Sequence, residues 1–160
     1  MTMSLECYRL IKPVAIQPIL DILDRLPFFM ANVGGSPDDP KRMPCFVVLK
    51  SEFPPEIWDL IHGLNLGGEL ARAVLRKLTP GQNIPPHIDE WMPEEVNWRR
   101  FQIPITSHPD IKMRWPDDGI EVHLEPGNLY EVRFDRLHEV VNPTDHERIH
   151  LQIDQIDATI

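Results

Sequence analysis

Residues 83–105 read "NIPPHIDEWMPEEVNWRRFQIPI", and the last seven of them decide what kind of protein this is. Phe101, Ile103 and Ile105 alternate with Arg100, Gln102 and Pro104. A period of two marks a strand with one apolar face, but the opposite face carries Arg and Gln instead of the Ser, Thr or Lys of a wetted surface. The beginning of the stretch is extended too. The residue before a proline avoids the helical region, so Pro85 and Pro86 hold the chain open, and His87 and Asp89, two positions apart, project from the same side.

The pattern returns along the chain. In "RIHLQID", residues 148–154, Ile149, Leu151 and Ile153 alternate with Arg148, His150, Gln152 and Asp154. "ARAVLRKL", "EVHL" and "LYEVRF" are further strand candidates, separated by the turn-forming segments "TPGQ", "PDDG" and "EPGN". No segment between them is long enough for a crossover helix, which excludes βαβ units and points to a sandwich or barrel. The first third differs. "IQPILDILDRL" places Ile16, Ile19, Leu20 and Leu23 at helical spacing with Pro18 in the first turn, and "PPEIWDLIHGL" does the same with Ile57, Trp58, Ile61 and Leu64. "CFVVLK" between them reads as a strand. The expectation is a single, mainly β domain over residues 1–160, with a helical N-terminal region (1–69) packed on one face of a β core (70–155).

Composition narrows the function. With 16 Lys plus Arg against 25 Asp plus Glu, the formal charge is −9, so the overall field repels polyanions and nucleic acid is not an expected partner. Cys7 and Cys45 are the only cysteines and form no CxxC pair, as suits a reducing compartment. The opening "MTMSLECYRLIK" lacks the charged and apolar regions of a signal peptide, and no apolar run approaches the ~20 residues of a membrane span. A cytoplasmic location is expected.

His87 and Asp89 offer two adjacent positions to one metal ion, and His138, in "FDRLHEVVN", is the candidate third ligand. Two histidines and a carboxylate on one face of an octahedron, with open positions opposite, form the site of non-haem Fe(II) oxygenases. Arg148 follows His138 by ten residues and shares its strand face with His150. Only one of the neighbours Arg99 and Arg100 can face inward from a strand; Arg100 shares a face with Gln102, and a bulge would swap the two. An arginine fork matches a carboxylate in charge and shape, so a cavity holding the three ligands and one or two arginines suits a dicarboxylate that chelates the metal at one end.

In order and spacing, "LTPGQNIPPHID", "NWRRFQIPI" and "HLEPGNLYEVRFDRLHEVVNPTDHERIHLQID" resemble the aspartyl/asparaginyl β-hydroxylase-like family of Fe(II)- and 2-oxoglutarate-dependent dioxygenases. The resemblance spans roughly residues 70–155. It implies a double-stranded β-helix of the cupin, or jelly-roll, kind, with His87, Asp89 and His138 as iron ligands. It also implies Arg148 on the distal carboxylate of 2-oxoglutarate, with Arg100, Gln102 and Arg76 facing the same cosubstrate. Oxidative decarboxylation of 2-oxoglutarate by O2 to succinate and CO2, coupled to hydroxylation of a C–H bond, would follow. The substrate would be a free amino acid, a peptidyl residue or another small molecule, and "EWMPEEVNW" would be a lid or substrate loop. The sequence departs from the family in two places. Asp89 completes a triad whose carboxylate the best-known animal members lack, and Gln102 stands where such members carry a histidine. Two other readings stay open on the sequence: a metal-binding cupin with non-oxidative chemistry, and a binding module without catalysis.

Overall fold

The computed structural model describes residues 7–33, 43–89, 93 and 95–160. The alternating segments all become strands, and they sort into two antiparallel sheets according to which faces the sequence keeps apolar. From β4 onward the chain winds between the sheets. β4 (Glu69–Leu78), β6 (Trp98–Thr106), β9 (Asn128–Val132) and β11 (Arg148–Ile156) lie in the larger sheet; β5 (Ile84–His87), β7 (Lys112–Trp115), β8 (Ile120–Val122) and β10 (His138–Val141) lie in the smaller. The smaller sheet runs β5-β10-β7-β8 and the larger contains β9-β6-β11-β4. This is the double-stranded β-helix expected from the sequence.

The N-terminal third is less helical than its periodicity suggests. β1 (Tyr8–Pro13) pairs with β9, β3 (Met43–Leu49) pairs with β4, and β2 (Phe29–Val33) pairs with β3, widening the larger sheet to seven strands. Of the two helices expected, α2 (Pro55–Gly63) forms as read, with Pro55 in its first turn. The first shrinks to α1 (Gln17–Leu20), followed by a separate 3-10 turn at Leu23–Arg25. The segment carries the chain from β1 at one edge of the larger sheet to β2 at the other, with Ile19 and Ile22 buried on the way.

Strand parity builds two cores. On the outer face of the larger sheet, Leu75, Phe101, Ile103, Leu151 and Ile153 pack with Ile19 of α1 and with Ile57 and Ile61 of α2. Each such aliphatic or aromatic side chain gains about 1.5–3 kcal/mol by leaving water, which is what anchors the two short helices. Between the sheets, Val47, Val74, Leu78, Met113, Trp115, Tyr130 and Val140 form a second cluster. The rest of that inner face is polar. Arg100, Gln102, Arg148, His150, Gln152 and Asp154 are all buried, and their occurrence on one face is the functional feature of the fold. Among the described residues, no helix is long and apolar enough to cross a membrane.

Where β4 begins, Gly68 adopts φ +64°, and a methyl group there would land on the carbonyl oxygen of Ile156. Gly68→Ala is therefore expected to lower stability by more than about 3 kcal/mol, combining left-handed strain with a backbone collision. Gly81→Ala, also at positive φ but with open space around it, should cost only about 1–2 kcal/mol; chemical denaturation of the two variants checks the contrast.

Candidate metal centre and anion pocket

His87 ends β5 and His138 begins β10, and the two residues face each other across the antiparallel ladder. Directly opposed residues have Cβ atoms only about 5 Å apart, and the imidazole centroids here are separated by 4.3 Å. Asp89 follows two residues after His87, fixed by its own N–H, which donates to the Phe134 carbonyl at 3.1 Å. Its carboxylate reaches both rings, with Oδ1 3.7 Å from His87 Nε2 and Oδ2 3.7 Å from His138 Nε2. The three side chains each offer one ligand atom, and these atoms lie within 4.8 Å of one another.

Backbone carbonyls set the imidazole tautomers. His87 Nδ1 is 2.8 Å from the Pro85 carbonyl, and His138 Nδ1 is 2.7 Å from that of Arg136. A carbonyl only accepts, so both Nδ1 atoms carry the proton and both Nε2 lone pairs point toward the shared space. This is the way a protein prepares histidines for a metal. His138 is also kept neutral: burial foremost, aided by the fields of His87 and Arg100, pushes it down from the usual 6.5 to about 4, although the Arg136 carbonyl and Asp89 oppose the shift. For Asp89, burial works against ionisation, but Arg100, His138 and His87 outweigh it and hold the carboxyl below its ordinary range. Two imidazole Nε2 atoms turned toward one ionised carboxylate are a donor set that fits a divalent metal.

The His138 shift has a consequence for stability. Unfolded, its imidazole takes a proton near pH 6.5; folded, it does so only near 4, so between these values the unfolded chain binds more protons. Stability of the metal-free protein should fall as pH drops through this window. At about 1.4 kcal/mol per unit, His138 contributes roughly 3 kcal/mol of loss by pH 4. Thermal unfolding of the metal-free protein from pH 7 to 4 checks the direction.

The arginines divide by parity. Arg99 turns outward and grips Glu131 through Nε at 2.7 Å and Nη2 at 2.6 Å, while Arg9 adds a third bond to the same carboxylate. Arg100 turns inward, but its guanidinium is engaged: Nε and Nη2 bind Asp154 at 2.7 and 3.1 Å, and Nη1 binds Asp89 Oδ2 at 2.6 Å. Where the resemblance implies a cosubstrate contact, the structure thus shows a link to a candidate metal ligand. Gln102 faces inward with its Oε1 2.7 Å from His150 Nδ1, so its amide orients that ring.

Arg148 and Arg76 are different. Arg148 is buried, and no carboxylate pairs with it among the described residues; burial first, then the nearby Arg76, pushes it down to about 9. Arg76 is half-buried beside the Cys45 thiol, within the fields of Arg72, Arg100 and Asp89, and its shielded Nε has no hydrogen-bond partner. Nearby, His150 Nε2 is likewise buried without a partner; its ring is held well below the ordinary range by burial, then by Arg148, His123 and Arg76. Buried donors and charges normally have partners; here two guanidiniums lie together with no carboxylate ion-paired to either among the described residues, while His150, whose Nδ1–H donates to Gln102 Oε1, leaves a bare lone pair at Nε2. A cleft of about 210 Å3 opens between Trp98, Arg100, Glu131 and Phe134. Residues 90–92 and 94 of the expected lid lie outside the described residues.

Sequence reasoning missed Asp154. It is fully buried and sits opposite Arg100 in the β6–β11 register, a pairing that parity along β11 alone does not reveal.

Fold and donor set together define an oxygenase of the double-stranded β-helix kind. A family model described as Aspartyl/Asparaginyl beta-hydroxylase matches residues 49–157, and the chain belongs to that family. No curated protein matches it in sequence. Solved structures share the fold at low identity. AviO1 from Streptomyces viridochromogenes Tue57 is 15% identical, with a TM-score of 0.66 over 94% of this chain and 90% of its own. The viral collagen prolyl hydroxylase of Paramecium Bursaria Chlorella virus-1, solved as a 2OG complex, is 11% identical, with a TM-score of 0.63 over 93% and 95%. A prolyl hydroxylase from Trichoplax adhaerens, in complex with a hypoxia inducible factor peptide fragment, is 13% identical, with a TM-score of 0.62 over 95% and 84%.

Proposed function

We propose that the protein is an Fe(II)- and 2-oxoglutarate-dependent hydroxylase of an amino-acid, peptidyl or other small substrate. The observation that carries this reading is the presence of two unlike sites in one β-helix: His87, Asp89 and His138 with freed donor atoms, and buried Arg148 beside half-buried Arg76 with no carboxylate ion-paired to either among the described residues. A dicarboxylate with a metal-chelating end answers both.

His87 Nε2, His138 Nε2 and one oxygen of Asp89 would hold the iron. Bound there, it would supply the redox chemistry that lets O2 convert 2-oxoglutarate and a substrate C–H group into succinate, CO2 and an alcohol. The protein's own residues do the rest. Arg148 binds the distal carboxylate with a planar fork that fixes its direction. Arg76, within the fields of both Arg148 and Asp89, neutralises the anion along its length. His150, oriented by Gln102, presents an acceptor at Nε2 and so would meet a donor such as water or a guanidinium N–H, not a carboxylate oxygen.

An assay of succinate formation and O2 consumption over a panel of amino acids, peptides and small acyl compounds tests the proposal. The wild type should convert at least one of them, with one succinate per hydroxylated product, and His87→Ala should convert none. Metal binding without any succinate across the panel would favour a non-oxidative cupin, and absence of both would favour a binding module.

A further inference from the structure

Asp154 and Arg100 form a buried chain of charge that ends on a candidate metal ligand. Asp154 is fully shielded from solvent and takes two bonds from Arg100, Nε to Oδ1 at 2.7 Å and Nη2 to Oδ2 at 3.1 Å. This paired arrangement locks the plane of the guanidinium. Phe134 adds to the fixation, its ring 5.1 Å from the guanidinium carbon. The remaining arm, Nη1, is thereby aimed at Asp89 Oδ2, 2.6 Å away. Asp89 Oδ1 receives no bond from Arg100 and lies 3.7 Å from His87 Nε2.

We infer that Asp154 and Arg100 are positioning residues for Asp89: they hold its Oδ2 so that the carboxylate meets the metal through Oδ1 alone. The inference rests on the metal reading above and adds to it a pair of residues standing behind one of the three ligands. Three features of the geometry support it. The two carboxylates share one guanidinium whose donors are divided two and one. Asp154 sits in the middle of the larger sheet, where a buried carboxylate has no reason to exist except its partner. Arg100 and Asp154 lie on the inner face of the larger sheet, apart from the outer apolar face that anchors the helices.

A double-mutant cycle read by Co(II) binding tests this. Four proteins are compared: wild type, Asp154→Asn, Asp89→Ala, and both together. Co(II) affinity is measured by titration, and the visible absorption of bound Co(II) reports whether the carboxylate binds through one oxygen or two. Loss of a residue that orients a metal ligand typically costs about 10- to 100-fold in metal affinity. Asp154→Asn should show a loss of that order with a changed Co(II) spectrum, and it should show no further loss once Asp89 is gone. A merely structural role would lower affinity equally in both backgrounds, and that outcome would overturn the inference; so would unchanged affinity and spectrum in Asp154→Asn. Where circular dichroism shows that Asp154→Asn does not fold, Arg100→Lys is read in the same cycle, since it keeps the charge and loses the fork. If the wild type itself binds no Co(II), the metal reading fails first, and the two failures are thus distinct.

Discussion

Replacing His138 by alanine is expected to abolish hydroxylation and to weaken divalent metal binding by at least about a hundred-fold, since even residues behind the ligands cost 10- to 100-fold. His138 is the most consequential of the three candidate ligands to remove. It is buried, its Nδ1–H is committed to the Arg136 carbonyl, and its ring is the one opposed to His87 across the ladder. No neighbour can take its place, because Asp89 is tied to Arg100 and His150 is tied to Gln102. The fold should survive. His138 is neutral in the native protein, so its removal leaves no unpaired charge, and the strand pairing of β10 is made by the backbone. Mn(II) or Co(II) titration, with circular dichroism as a control, separates loss of metal from loss of structure.

The second large effect has two signs. Arg148→Met should abolish 2-oxoglutarate binding and at the same time make the metal-free, cosubstrate-free protein more stable. Removing one partner of a buried, hydrogen-bonded charge pair costs about 2–5 kcal/mol, roughly thirty-fold or more in Kd. In the free protein, however, Arg148 has no carboxylate beside it among the described residues and is pushed down to about 9, which measures how poorly its charge is tolerated. A methionine of similar length fills the space without that penalty. A rise in Tm together with loss of 2-oxoglutarate affinity is the signature of a residue kept for function at the expense of stability. A fall in Tm would mean that Arg148 is structural. Binding of 2-oxoglutarate should also erase the difference in Tm, since the ligand supplies the missing negative charge to the wild type alone.

Much of the site was legible before the structure, because strand parity is a local property. The alternation around Phe101 and around Leu151 says which residues face inward, and Arg100, Gln102, Arg148 and His150 do so. What parity cannot say is which inward residue meets which. Arg100 finds Asp154 only through the β6–β11 register, and His138 meets His87 only because β10 pairs with β5. Those two strands are four residues each; one contains two prolines and the other reads "HEVV", so neither shows an alternation long enough to mark it. Of the N-terminal strands, "CFVVLK" marks β3, but β1 and β2 carry no clear signal for a related reason. β1 and β2 lie at the edges of the larger sheet and leave Leu10, Phe29 and Met30 exposed, so apolar residues on both faces blur the period of two. The helical reading of residues 16–26 likewise followed real apolar spacing, but Ile22 and not Leu23 is buried, because the chain breaks its helix after Leu20.

The measurement closest to the central claim is calorimetric titration of 2-oxoglutarate into the protein with and without Mn(II), a redox-inert stand-in for Fe(II) in this assay. If His87, Asp89 and His138 hold a metal that the cosubstrate chelates while Arg148 takes its far carboxylate, affinity should rise by roughly 10- to 100-fold when Mn(II) is present. The gain should vanish in His138→Ala, and binding itself should vanish in Arg148→Met. Equal 2-oxoglutarate affinity with and without Mn(II), or binding that survives in Arg148→Met, would contradict the account.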